Sequence, residues 1–566
     1  MDRVNNITIK TKLAHSLNFK VVTPMVFWVG LLAISGSGWQ AIAQTANPSP
    51  GSRALSVVDS RIVVKRFDVQ GNQSLSQAQI DTALAPFLGE FDNLAALQSA
   101  AAALQAVYHR SGRLITQVVL PAQDISEGTV ILKVIEGRIS NVAVIGNQRL
   151  SNENILASLP VLRAGESIDL HDLNAALQLA NENPSRRLAV NFRPDKSVGD
   201  IIANVRVQEA EAQRYTLGLN DTGNENTGDL RLNLAWQNTN VMQKDHVATL
   251  QYTLAPDDLD AVSIIGGGYR IPFYRQRLLL DLVGAYSNVS SGSVPVPSGT
   301  LDFAGKGVVL GGQLTRLLPA VLKLQHRATL SIYQRRYKNE CSISVNNNSN
   351  ACIGGSDVDY TTQPLALGYS GKWTQPKRQF NFSLSASYNL PGGPNGSATD
   401  FDAARLGADN RYLIWRAGAD ATQQLPRDWQ LRALFEGQYV NEPLVSGEQF
   451  GLGGADSLRG FDERAVTGDR GWRAGLELFG PDLGAKSGLD GLALRPVVFL
   501  EGGQMSRLNP QAGDIAQQTL SSAGLGMRLG YAGKLSAQID WGRVINGGGT
   551  VDDGGSRFHF NLGYVF

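Results

Sequence analysis

Side chains able to do chemistry are sparse and scattered in this chain. Its two cysteines, Cys341 and Cys352, both fall in the polar stretch NECSISVNNNSNAC. In an exported protein so close a pair most simply forms a disulfide that restrains a loop. Two thiols with no histidine nearby offer too few ligands for a metal. The six histidines are dispersed, with no H-E-x-x-H, and no G-x-x-x-x-G-K-[ST] is present to hold a nucleotide. The residues therefore point away from an enzyme and predict no cofactor, no metal and no nucleotide. One stretch still concentrates charge: SLRGFDERAVTGDRGW, residues 457–472, a glycine-flanked run with Arg459, Phe461 and three acids, set among segments that read as β-strands.

The elements around that stretch start from an exported chain. Arg3, Lys10, Lys12 and Lys20 precede an apolar run, Met25 to Ile34, and then Ala41-Ile42-Ala43, a small-x-small cleavage site. Residues 1–43 are read as a secretory signal, because the run is well short of the roughly 18 residues a helix needs to span a bilayer. Residues 44–60, rich in Pro and Ser, read as a flexible linker. The balance of 51 basic and 50 acidic residues gives a net charge of +1, with no surplus to neutralise nucleic acid. Glycine is abundant at 61 residues but lacks a G-X-Y period, so it serves turns and close strand packing rather than collagen.

An internal repeat follows. VQGNQSLS at 69–76 and VIGNQRLS at 144–151 are identical at six of eight positions. Each copy begins with a strand, Val63 to Val69 or Ile139 to Ile145, turns through Gly-Asn, and places a Ser at a helix N-cap. A second helix has Leu94, Leu97, Leu104 and Val107, or Leu170, Leu173 and Leu177, at helical spacing, and two β-rich segments close each unit. The order β-α-α-β-β resembles a POTRA domain, with two units at 61–137 and 138–210. An open sheet edge in such a unit can accept an extended segment of another chain by strand addition.

Beyond residue 210 the period becomes two. In RQFNFSLSASYNL, Phe380, Phe382, Leu384, Ala386, Tyr388 and Leu390 share one face, and Asn381, Ser383, Ser385, Ser387 and Asn389 the other. Lipid cannot hydrogen-bond an open sheet edge, so repeated amphipathic strands in an exported chain imply closure. The fold class expected is a transmembrane β-barrel of sixteen antiparallel strands over 211–566, preceded by two α+β POTRA domains. An even count, with the terminal strand, puts both chain ends of the barrel, and with them the POTRA pair, in the periplasm. The terminal strand RFHFNLGYVF sets Phe558, Phe560, Leu562, Tyr564 and Phe566 on one face. It resembles the C-terminal signal by which an assembly machinery recognises outer-membrane barrels for insertion.

On this count residues 442–469 form one long loop between strands eleven and twelve. Its Leu458, Arg459, Gly460 and Phe461 resemble the VRGY-like tetrad of the sixth extracellular loop in the Omp85 superfamily. FLEGG, with Phe499, Glu501 and Gly503 on strand thirteen, resembles the Phe-x-Asp-x-Gly partner motif with Glu in place of Asp. WRAGLELFGP, with Glu477, is similar to the family's strand-twelve signature. The resemblance implies a loop folded back into the barrel, with Arg459 meeting Glu501 in a wet, only partly desolvated setting. Taken together, these features resemble the TpsB transporters of two-partner secretion, of the ShlB/FhaC/HecB haemolysin secretion/activation type. That implies an outer-membrane protein embedded in lipid that exports one large, mostly β-helical partner without ATP. The partner's N-terminal secretion domain would first bind the POTRA pair. A barrel insertase of the same superfamily is the alternative; a passive porin would leave the repeats without a purpose.

Overall fold

The computed structural model describes residues 62–566 apart from 114, 126, 224–227, 260–261, 289–291, 298, 304–305, 322, 339–341, 346–347, 352–358, 512 and 550. The signal, the linker, Cys341 and Cys352 lie outside the described residues.

Two small α+β units come first. In one, helices α1 (Gln77–Leu84) and α2 (Ala95–Arg110) cover a sheet in which Thr129–Ile135 lies between Arg66–Gln70, parallel, and Gln117–Val119, antiparallel. In the other, α3 (Asn152–Ser158) and α4 (Leu170–Ala180) cover Asp200–Glu209, flanked by Arg138–Ile145 and Arg186–Pro194. Each has its own apolar core, built on Leu104, Tyr108 and Leu132 in the first and on Ile155, Leu159 and Val205 in the second.

The repeated octapeptide owes its composition to one turn. Gly71 and Gly146 have φ near +86° and +94°, and a Cβ there would lie 2.4 Å from the Val134 carbonyl oxygen and 2.7 Å from that of Val207. The amides that follow are held by a carboxylate at the end of the central strand. Glu136 accepts from Gln73 N and Ser74 N, and Glu209 from Gln148, Arg149 and Leu150 N, at 2.8–3.2 Å. Ser151 caps α3 by accepting from Asn154 N. One expectation fails: the single strand Val63–Val69 is broken at Lys65, where Lys65 N and Arg66 N both donate to the Gly128 carbonyl. Ile62–Val64 pairs instead with Gly89–Phe91.

Sixteen strands then close a barrel. They are β1 (Gln213–Asn220), β2 (Arg231–Val241), β3 (His246–Leu254), β4 (Ser263–Phe273), β5 (Leu278–Ser287), β6 (Lys306–Leu317), β7 (Leu324–Lys338) and β8 (Tyr360–Thr362, continuing as Pro364–Gln375). The second half is β9 (Arg378–Asn389), β10 (Leu413–Gln424), β11 (Gln430–Tyr439), β12 (Arg470–Phe479), β13 (Leu492–Ser506), β14 (Gln517–Tyr531), β15 (Leu535–Asn546) and β16 (Ser556–Val565). Every neighbouring pair is antiparallel, and β16 returns to β1 through five residue pairs, against fifteen between β13 and β14. Phe380, Leu384 and Tyr388 project from the outer wall, as do Phe558, Leu562, Tyr564 and Phe566.

Some connections hold structure that alternation did not signal. Gly292–Val296 and Gly299–Phe303 form a separate hairpin, and β6 begins only at Lys306. Between β9 and β10, a short helix, α5 (Ala398–Ala404), opens with a Ser397 cap, and β10 begins only at Leu413.

The second small unit is seated on the barrel's near turns. Arg186, buried, pairs with Asp245 at 2.7 Å and donates to the Tyr274 hydroxyl, which in turn donates to Asp245 at 2.9 Å. Leu179 on α4 packs against Leu279 and Leu317. Arg277 pairs with Asp172 and Arg327 with Glu182 at the edge of this contact.

Candidate functional site: a hairpin held inside the barrel

The connection between β11 and β12 doubles back as a hairpin. Phe450–Leu452 pairs with Val466–Gly468, and the segment between them carries Leu458 to Phe461 at its tip. Leu458 and Phe461 are buried with Leu452, Val466, Met505, Leu520 and Val544, so apolar residues of the hairpin pack on residues of β13 to β15.

Arg459 is the centre of the site. Its backbone N–H donates to one oxygen of Glu501 at 2.8 Å, and its Nε to the other at 2.9 Å; Nη2 also contacts that second oxygen. Nη2 donates to Glu477 at 2.8 Å, and Nη1 lies 3.5 Å from Asp540. The guanidinium carbon sits 3.6 Å over the Phe499 ring. Acids from β12, β13 and β15 thus converge on one cation. Arg528 pairs with Asp540 and Arg432 with Glu477, extending the network around the wall.

The longer Glu501 side chain has a geometric role, since one carboxylate reaches both the backbone and the side chain of Arg459. The expected partial desolvation does not hold: Arg459 is 3% exposed and Glu477 and Glu501 are 5% exposed, because the hairpin itself shuts water out. A cation so buried tolerates its setting only because several acids and hydrogen bonds satisfy it. A cavity of about 410 Å³ opens beside it, lined by Asp420, Arg432, Glu436 and Arg473 among others.

Glycines allow the approach. Gly460 has φ near +96°, and a Cβ on it would lie 3.1 Å from the Gly542 carbonyl carbon. A Cβ on Gly542 would meet Gly460 N at 2.5 Å, so two backbones touch there with no room for side chains. At Gly503 a Cβ would meet the Trp472 carbonyl oxygen at 2.7 Å and Leu452 at 3.0 Å.

Further residues meet the tip without any motif announcing them. Asp540 and Gly542 come from β15, and the Gly460 amide donates to His559 Nε2 on β16 at 3.1 Å. Their only trace in the sequence is a polar residue on the wet side of each dyad. Glu463 accepts from Ala455 N within the hairpin at 2.8 Å. Burial, reinforced by nearby Asp456, pushes its carboxyl up to about 7. A carboxyl raised in this way favours the inward pose while protonated, a contribution lost as pH rises through about 7.

The hairpin's stem has its own fastening near the far end. Arg335 donates twice to Glu448, at 3.0 and 3.2 Å, and Thr362 donates to the same acid at 3.0 Å. Arg405, just after α5, grips Asp469, which also accepts from Leu444 N at 2.8 Å. Phe401, Tyr412, Val440, Leu444 and Val445 form a buried cluster around these anchors.

Comparison with known proteins agrees with this architecture. Residues 199–529 match the family described as haemolysin secretion/activation protein ShlB/FhaC/HecB, and residues 62–137 match a POTRA domain of ShlB type. The haem/haemopexin transporter HuxB of Haemophilus influenzae is 22% identical over 419 residues, which is 71% of this chain and 69% of the relative. The haemolysin transporter ShlB of Serratia marcescens is 23% identical over 469 residues, 80% and 76% of the two chains. The solved structure of CdiB from Escherichia coli shares the fold at a TM-score of 0.72 with 18% identity, covering 92% of this chain and 93% of that one. With the family match spanning more than half of its 566 residues, the chain belongs to the ShlB/FhaC/HecB proteins, outer-membrane transporters that secrete a partner protein.

Proposed function

We propose that the hairpin of residues 442–469 is the gate of the export path and that Arg459 holds it shut. The carrying observation is the clasp of Arg459 by Glu477, Glu501 and Asp540 in the barrel interior. The partner is a large, mostly β-helical protein that enters unfolded. The POTRA pair, at 61–137 and 138–210, binds its N-terminal secretion domain by strand addition at an open sheet edge. The two three-stranded sheets, each with an outer strand that pairs with a strand on one side only among the described residues, support this reading. Relatives named for a haemolysin and for haem and haemopexin support a protein cargo whose own activity varies. With no nucleotide motif in the sequence, direction comes from folding of the partner outside the cell. The outward Phe558, Leu562, Tyr564 and Phe566 face lipid and, with Phe560, form the segment recognised by the barrel assembly machinery.

Replacing Arg459 by Ala tests the gate. The unclasped tip loses its fixed position, so export of the partner is expected to fall even as the pore leaks, while the barrel still reaches the outer membrane in its heat-modifiable, folded form. Unchanged export would refute the role. One observation favours a second reading, that of an insertase that opens its wall: the seam between β16 and β1 has only five residue pairs.

A further inference from the structure

The hairpin tip and the barrel's closing seam meet at one side chain. A backbone N–H can only donate, so the Gly460 bond at 3.1 Å requires a lone pair on His559 Nε2. The ring proton then sits on Nδ1, 3.1 Å from an oxygen of Asp221. Asp221 follows β1, and its other oxygen accepts from Phe560 N on β16 at 2.8 Å. Gly460, His559 and Asp221 therefore form a chain from the gate to both strands of the seam. His559 is 2% exposed, and among the described residues it is the partner of the Gly460 amide.

We propose that His559 is a positioning residue that holds the gate through its Nε2 lone pair, so that a second ring proton releases Gly460 and loosens the hairpin tip. This rests on reading the hairpin as the gate. The charged groups that face the ring are Asp221 beyond β1, Asp540 opposite it on β15, and Glu463 on the hairpin. Asp456 and Arg231 line the adjoining cavity, and the Arg459 guanidinium lies against Asp540. A doubly protonated imidazole has no acceptor left, so the Gly460 amide loses its partner whatever the neighbouring charges do. Acidification thus acts on the seam end of the latch, leaving the Glu477 and Glu501 clasp in place.

The test uses the full-length protein in planar phosphatidylcholine bilayers, with conductance followed between about pH 5 and 8. All chains carry Glu463→Gln, which removes a carboxyl raised to about 7 beside the ring. With His559 intact, open probability is expected to rise about fivefold on acidification, the effect of losing one ordinary hydrogen bond. His559→Gln can still accept from Gly460 and donate to Asp221 but has no proton to gain, so its profile should stay flat and closed. His559→Ala should be open at every pH. A titrating His559→Gln, or a flat profile in the chain that keeps His559, would overturn the proposal, and the first comparison holds even where His559→Ala fails to insert. Arg459→Ala in the same bilayers separates the two ideas. If it opens the pore and the His559 series does nothing, only this inference fails; if Arg459→Ala leaves conductance unchanged, the gate reading fails with it.

Discussion

Glu501 bonds the backbone and the side chain of one arginine, and each substitution there should separate those two tasks. Glu501→Gln keeps the reach but removes the charge; Arg459 retains Glu477 and Asp540, so the expected cost is about 1–3 kcal/mol rather than the full penalty of an orphaned buried cation. Glu501→Asp keeps the charge but shortens the arm, and should lose one of the two contacts. Protease cleavage of the hairpin in folded barrels measures both, and Glu501→Gln is expected to be cut faster by about tenfold or more. Cleavage as slow as in the unsubstituted chain would show that the clasp is dispensable. At this scale Arg459, Glu477 and Glu501 were legible because each lies in a short run that resembles a motif of the Omp85 superfamily. Asp540, Gly542 and His559 were not, because an inward-facing residue on a dyad reveals its side of the wall and nothing about what crosses the lumen to meet it.

Among the elements, strands were the most readable, since lipid on one side and water on the other impose an alternation that few other settings would produce. What alternation missed was structure in the connections. The hairpin of Gly292–Val296 with Gly299–Phe303 and the helix α5 lie in connections between barrel strands, and the break at Lys65 arises from a carbonyl contributed by distant Gly128. The seam yields a prediction of its own. Leu219 and Leu562 lie opposite each other on β1 and β16. A disulfide between Leu219→Cys and Leu562→Cys should leave export through the lumen intact, measured as partner released from cells under oxidising conditions. Loss of export with the crosslink, restored by reductant, would favour passage through an opening wall and hence the insertase reading.

For the molecule as a whole, the junction between the second small unit and the barrel decides where a bound client is presented. Arg186, Asp245 and Tyr274 form a buried triad there, and Asp245→Asn leaves the guanidinium without its counter-charge. Breaking one side of a buried pair costs about 3–5 kcal/mol. Hydrogen exchange is therefore expected to accelerate at residues 242–245 and along α4, with barrel melting little changed and export reduced. Protection equal to that of the parent would show that the apolar contacts of Leu179 and the two edge ion pairs suffice to fix the seating. None of this junction was visible in the sequence, where Arg186 is one cation among many in a repeat unit.

The hairpin is fastened twice, at its tip by Arg459 and at its stem by Glu448 and Asp469. A stopper tied this way does not leave like a cork. If the hairpin is the gate, letting go of the tip while the stem stays tethered lets it swing aside on a short leash, and the same tether returns it to its socket once the traffic has passed. The barrel can then reset after every passage without refolding the piece that seals it.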